Sequence, residues 1–209
     1  MPETPRYRQM PNPRPSLVSL ARDTVTDPRD GATRVLALHL DEGTLWQALV
    51  AVVAVSVLLT QLGNYIVATP IDPLLPIFEA NPLLAAVIQG GLLVVMVYAI
   101  HIIGRRFGGT GAFAGALALT VWLQVIMAML QAVQILFLLV LPPVSGLIGL
   151  FGIGLFFWLL SHFVAVLHSF DSALKTFAGI VMSMIAIVFG MSLLMSILGI
   201  TLGGALTDV

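Results

Sequence analysis

The chain has 209 residues, 59% hydrophobic and only 9% charged, with a net charge of −1. A soluble domain carries about a quarter charged residues, so a water-facing surface is excluded and lipid is the natural solvent. The absence of cysteine excludes disulfides, thiolate metal sites, iron–sulfur ligation and c-type haem attachment.

Residues 1–26 contain Pro2, Pro5, Pro11, Pro13 and Pro15 among polar and basic residues. So little apolar surface cannot offset ordering entropy, which predicts a disordered basic, proline-rich cytoplasmic tail. It has no apolar h-region and does not read as a signal peptide. Residues 27–43 follow as an interfacial amphipathic helix to about Asp41, with Asp27 as N-cap and Pro28 at the first helical position. Val35, Leu36, Leu38 and Leu40 supply its apolar surface, and Arg29 and Arg34 face water or lipid headgroups.

Residues 44–203 read as an all-α transmembrane domain of five helices, because each apolar run supplies the ~20 residues a bilayer requires. The spans fall at about 45–68, 83–103, 117–141, 144–167 and 174–198. Trp46 and Tyr65 flank the first as interfacial aromatics. A proline-rich loop precedes the second, and Pro142-Pro143 stops the third. From Gly111 to Val140 there is no charge, a length of about 45 Å as straight helix against a hydrocarbon core of ~30 Å. The glycine- and alanine-rich start, Gly111 to Gly115, therefore packs against another helix near the interface, and the span begins near Leu117.

Charge placement supports five spans. With the N-terminus cytoplasmic, the tail, Arg105 and Arg106, and Lys175 put all nine basic residues on one side. The opposite loops and a periplasmic C-terminus hold Asp72, Glu79 and Asp208. Four or six spans would break this positive-inside pattern. Eight arginines against one lysine suggest a GC-rich genome, and hence a bacterial inner membrane.

The segment "GRRFGGTG" does not continue into a Walker A loop and lacks the flanking strand and acidic residue of a dinucleotide fold. Arg105 and Arg106 read as topology determinants that attract anionic headgroups at the cytoplasmic face, with Lys175 as a second anchor. His39, His101, His162 and His168 show no ligand spacing, so neither metal nor cofactor is implied. The crowded His168, Ser169 and Asp171 cannot arrange a triad, whose members come from separate segments; Asp171 or Ser172 instead caps the last helix. Gln124 and Gln131 share a helix face, with Gln134 flanking it, and together with His162 they are candidates for interhelical polar contacts. No Asp, Glu, Lys or Arg lies inside a span, which disfavours ion-coupled transport and intramembrane catalysis. Gly199 and Gly203 form a GxxxG pair at the end of the fifth span.

With the spans placed, the sequence resembles the Yip-domain family, Rab-interacting-protein-like integral membrane proteins with bacterial members. "DPRDGATRVLAL" before "LWQALV" looks like the pre-membrane stretch of bacterial members. Gly108, Gly109, Gly111 and Phe113 match the family's GG-x-G-[ST]-F segment, with Ala112 in place of the small hydroxyl residue. His168 matches a histidine–glycine turn, but Ser169, Phe170 and Asp171 replace the commoner residues after it. The D-L-[WY]-G-P motif of eukaryotic members is absent, so Rab binding does not carry over. The resemblance implies a five-span, non-enzymatic membrane protein that acts by helix–helix and lipid contacts as an organising or complex-assembly factor. Its partners would be anionic lipid, itself or other membrane proteins, and not nucleic acid. The alternative is a small-solute or lipid transporter or channel lined by the glutamine face.

Overall fold

The computed structural model describes residues 16–67 and 81–197. Residues 1–15, the proline-rich loop with Asp72 and Glu79, and the Gly199/Gly203 pair lie outside the described residues. The architecture is all-helical, in the order α1 (Leu17–Thr26), α2 (Pro28–Leu36), α3 (Glu42–Val67), α4 (Pro82–Arg106), α5 (Phe113–Val140), α6 (Pro142–His168) and α7 (Ala173–Ile197). Among the described residues, α3 to α7 are five helices long and apolar enough to cross a membrane.

Residues 17–26, expected to belong to the disordered tail, form α1. Ser16 caps it, its hydroxyl accepting from Ser19 N at 3.1 Å. All five prolines of the tail precede Ser16, so averaging over 1–26 concealed a helix-competent stretch. Its Leu20, Ala21 and Thr24 lie on one face, and Ala21 and Thr24 are buried. The helix expected at the interface is also shorter than its predicted range. Asp27 caps α2 through Asp30 N at 3.1 Å, with Pro28 following, but α2 ends at Leu36. His39 then takes a left-handed φ of 46°. Asp41 starts the next helix by accepting from Thr44 N at 2.8 Å and from the Thr44 hydroxyl at 2.7 Å. That hydroxyl first, and then the amide, hold the Asp41 carboxyl below the usual carboxylate value.

α5 is the central helix, packed against α2, α3, α4 and α6, whereas α7 packs against α6. The third span begins at Phe113, four residues before the expected Leu117, and its 28 residues give about 42 Å of helix. Its N-terminal end is the most closely covered part of the helix. There α2 and the end of α6 cover it, so Ala116, Leu117 and Leu123 are fully buried. Gly115 permits this approach, since a Cβ there would lie 2.7 Å from Leu167 Cδ1. The core therefore concentrates toward one end of the bundle, where Leu45, Leu49, Val97, Leu159 and Phe163 join it. The opposite half presents apolar side chains outward, and among the described residues of α7 only Thr176, in its first turn, is buried.

The same end collects the charges of the described residues. Arg105 and Arg106 close α4, Lys175 lies in the first turn of α7, and all three are exposed. Arg29 is exposed and donates to the Asp171 carbonyl at 3.1 Å, tying α2 to the α6–α7 turn. Arg34 pairs with Asp30 at 2.6 Å and Asp23 at 3.7 Å. Ser172 receives Lys175 N at 3.4 Å and so caps α7. This region is called the basic end below.

Candidate functional site: a histidine held by glycines

α4 and α6 stop at the basic end by the same device. At the end of α4, Gly109 N donates to Gly104 O at 2.9 Å and Gly108 N to Arg105 O at 3.1 Å. That pattern is a Schellman turn, and it needs a left-handed residue at its centre. Gly108 fills that position with φ 86°. At the end of α6, Phe170 N donates to Ala165 O at 2.8 Å and Ser169 N to Val166 O at 3.3 Å, with Ser169 at φ 58°.

The second turn fixes His168 in the gap left by the first. His168 is 1% exposed. Its Nδ1 accepts from Gly111 N at 3.2 Å, which leaves Nε2 protonated to donate to the Ile100 carbonyl at 3.1 Å. Both ring nitrogens of a neutral imidazole are thereby satisfied, as a buried polar group requires. Phe170 stacks on the ring at 5.5 Å. A Cβ at Gly104, Gly109 or Gly111 would lie under 3.0 Å from His168 atoms. Backbone without side chains is thus needed on three sides of the imidazole. The glycines seat a histidine, and His168 in turn fastens α4, the 107–112 loop and α6 together.

Phe113 opens α5 beside this seat and collects other rings. Tyr98 lies 5.0 Å away, His101 5.9 Å away edge-on, and Trp46 of α3 6.3 Å away. Ala112 is the N-cap of α5 and supplies no side-chain hydrogen bond.

The remaining sequence candidates lie apart from the seat. Gln131 donates to the Thr60 hydroxyl at 2.8 Å, which itself donates to Ser56 O at 3.0 Å, linking α5 to α3. Gln134 donates to Ser145 O at 3.1 Å, and Gly149 leaves it room. Gln124 makes no hydrogen bond among the described residues. His162 departs from the expected interhelical role: its Nδ1 bonds to Trp158 O of its own helix at 2.7 Å, and its ring lies against Trp158 at 4.2 Å. Gln131 and Gln134 border a groove of about 410 Å³ between α5 and α6, lined also by Leu130, Gly149, Gly152 and Phe157. Among the described residues no three His, Asp or Glu side chains come together as a metal-binding group.

Sequence reasoning missed Thr24, Gly31, Trp122, Thr60 and Gly104. Trp122 Nε1 donates to the Thr24 hydroxyl at 3.2 Å, and Thr24 donates to Leu20 O at 2.7 Å. A Cβ at Gly31 would overlap Thr24. The one signal available was the isolated indole at 122, an N–H donor in an otherwise apolar run.

Fold and seat together define a multi-pass, all-α membrane protein organised around a polar lock at one end. The Yip1 domain family model matches residues 22–205, and the chain belongs to that family. No curated protein and no solved structure matches it at a significant level.

Two departures from the family-like pattern lead to a prediction. Ser169→Gly relieves a left-handed non-glycine residue and is expected to stabilise the protein by about 1 kcal/mol. Ala112→Ser provides the missing cap acceptor and is expected to add about 1 kcal/mol. Denaturant titration in mixed micelles reads both; a destabilised Ser169→Gly would contradict the turn geometry.

Proposed function

We propose that this protein is non-enzymatic and acts through helix–helix and lipid contacts as an organising or complex-assembly factor of the bacterial inner membrane. Its N-terminus and basic end face the cytoplasm, its C-terminus faces the periplasm, and α2 lies at the membrane interface. The observation that carries the reading is the contrast between interior and surface. The polar centre at His168 is closed on its own backbone partners, while apolar faces of α4 and α7 stand uncovered. A buried, fully satisfied histidine has no free group for chemistry, whereas apolar helix faces suit lipid or partner helices. The clustering of Arg105, Arg106 and Lys175 at one end supports the orientation.

One observation favours a second reading, a small-solute or lipid transporter: the groove beside Gln131 and Gln134. Proteoliposomes distinguish the two. The scaffold reading expects no solute flux and an unaltered fold in Gln131→Leu, which removes one interhelical bond worth about 0.6 kcal/mol. Flux abolished by Gln131→Leu but preserved in Arg105→Ala/Arg106→Ala would overturn it. A topology reporter at the C-terminal end should report the periplasm; a cytoplasmic signal would contradict the five-span orientation.

A further inference from the structure

The seat leaves one side of the basic end unaccounted for. Tyr98, His101 and Arg105 are spaced by three and four residues and so share one face of α4. Phe113 covers the inner edge of that face through its contacts with Tyr98 and His101. Arg105 and Arg106 are exposed and form no ion pair among the described residues. His101 Nδ1 is shielded from solvent without a hydrogen-bond partner. Its Nε2 is not shielded and is equally without a hydrogen bond among the described residues, which leaves it open to a ligand. Tyr98 is 48% exposed and has no hydrogen bond among the described residues. Three polar side chains, one of them a fixed charge, therefore share one strip near the end of an apolar helix. Further along α4 Leu92 and Val95 are exposed, and Ile102 is exposed within the strip, an apolar track for an acyl chain.

We infer that this strip is a binding site for the phosphodiester of an anionic membrane phospholipid. The guanidinium of Arg105 takes the phosphate by charge-assisted hydrogen bonds, and His101 Nε2–H and the Tyr98 hydroxyl add neutral donors. Acyl chains lie along α4. Glu42, exposed one turn before Trp46 on α3, whose ring meets Phe113, adds a negative charge at the basic end and opposes additional negative charge. A singly charged phosphodiester suits the strip better than a polyphosphorylated headgroup. A role in topology alone accounts for the arginines, but not for the alignment of Arg105 with an open imidazole and an exposed phenol.

The site rests on the proposed placement of this end in the headgroup layer. The full-length protein, exchanged in detergent with phosphatidylglycerol or with a phosphate-free glycolipid of matching acyl chains, is measured by native mass spectrometry. One retained phosphatidylglycerol is expected, lost about tenfold in Arg105→Gln and several-fold in His101→Phe, which keeps the ring against Phe113. Arg106→Gln, one position off the strip, is expected to change retention less than twofold. Arg105 is exposed and unpaired, so its replacement leaves the packing intact, and unchanged thermal unfolding verifies that. Undiminished retention in Arg105→Gln, equal retention of the glycolipid, or an equal loss in Arg106→Gln would each overturn the site. Flux or topology results would overturn the scaffold reading without altering lipid retention, so the two failures are separable.

Discussion

Replacing Gly104 with alanine is expected to destabilise the protein by about 3 kcal/mol, while the same replacement in a His168→Ala background costs less than about 1 kcal/mol. The new methyl group would overlap the imidazole at Nε2, Cδ2 and Cε1. The ring cannot step aside, because Gly109 and Gly111 close on it and Phe170 stacks against it. Overpacking of this kind costs about 1–3 kcal/mol. Displacing the ring also breaks bonds to Ile100 O and Gly111 N, and a buried polar group left unpaired costs about 1–3 kcal/mol more. His168→Ala removes the obstacle, so the two substitutions are strongly non-additive. Denaturant titration of the four chains of the cycle reads the coupling. Simple additivity would show that the glycines are not there for the histidine. Gly108→Ala serves as a contrast: its surroundings are open, and it is penalised only for its left-handed backbone.

Gly31→Ala is expected to release α1 while leaving the five long helices in place. Gly31 is buried, and a Cβ there overlaps three atoms of Thr24. Thr24 is itself fully buried and held by Leu20 O and Trp122 Nε1. A flexible side-chain end could yield, but Thr24 Cβ is among the atoms struck, so α1 must shift as a body. We expect loss of about 2 kcal/mol of local stability. Amide exchange over residues 20–26 should quicken by roughly thirtyfold, with α5 and α6 unchanged. Trp122→Phe removes the indole N–H and part of the buried ring, and should quicken exchange over residues 20–26 without the overlap at Thr24. Unaltered exchange in Gly31→Ala would mean that α1 does not depend on α2 for its position.

The five long helices were legible because each is an apolar run of membrane length, and Pro142 marks the break between α5 and α6 without ambiguity. The Asp27 cap was legible too, since an N-cap and its following proline are local signals. α1 was not, because five prolines upstream of Ser16 dominated the composition of its neighbourhood. The glycines around position 109 were visible as a motif, yet their purpose was not. His168 meets Gly111 and Ile100 across 57 and 68 residues, and no spacing rule links such distant positions. Periodicity likewise placed Gln131 on a face but could not name Thr60, which lies 71 residues away. His162 misled for the opposite reason. A polar residue deep in an apolar helix suggests a partner elsewhere, and here the preceding turn of its own helix supplies one.

The central claim, that a closed helical body works through its outer faces, is tested most directly by site-specific photo-cross-linking in native membranes. Probes belong at Leu174 and Val188 on α7, 77% and 67% exposed, with buried Leu159 as control. A discrete protein adduct of constant mass from at least one α7 position, with none from Leu159, is the predicted result. Lipid adducts alone at both α7 positions, together with solute flux in proteoliposomes, would contradict it.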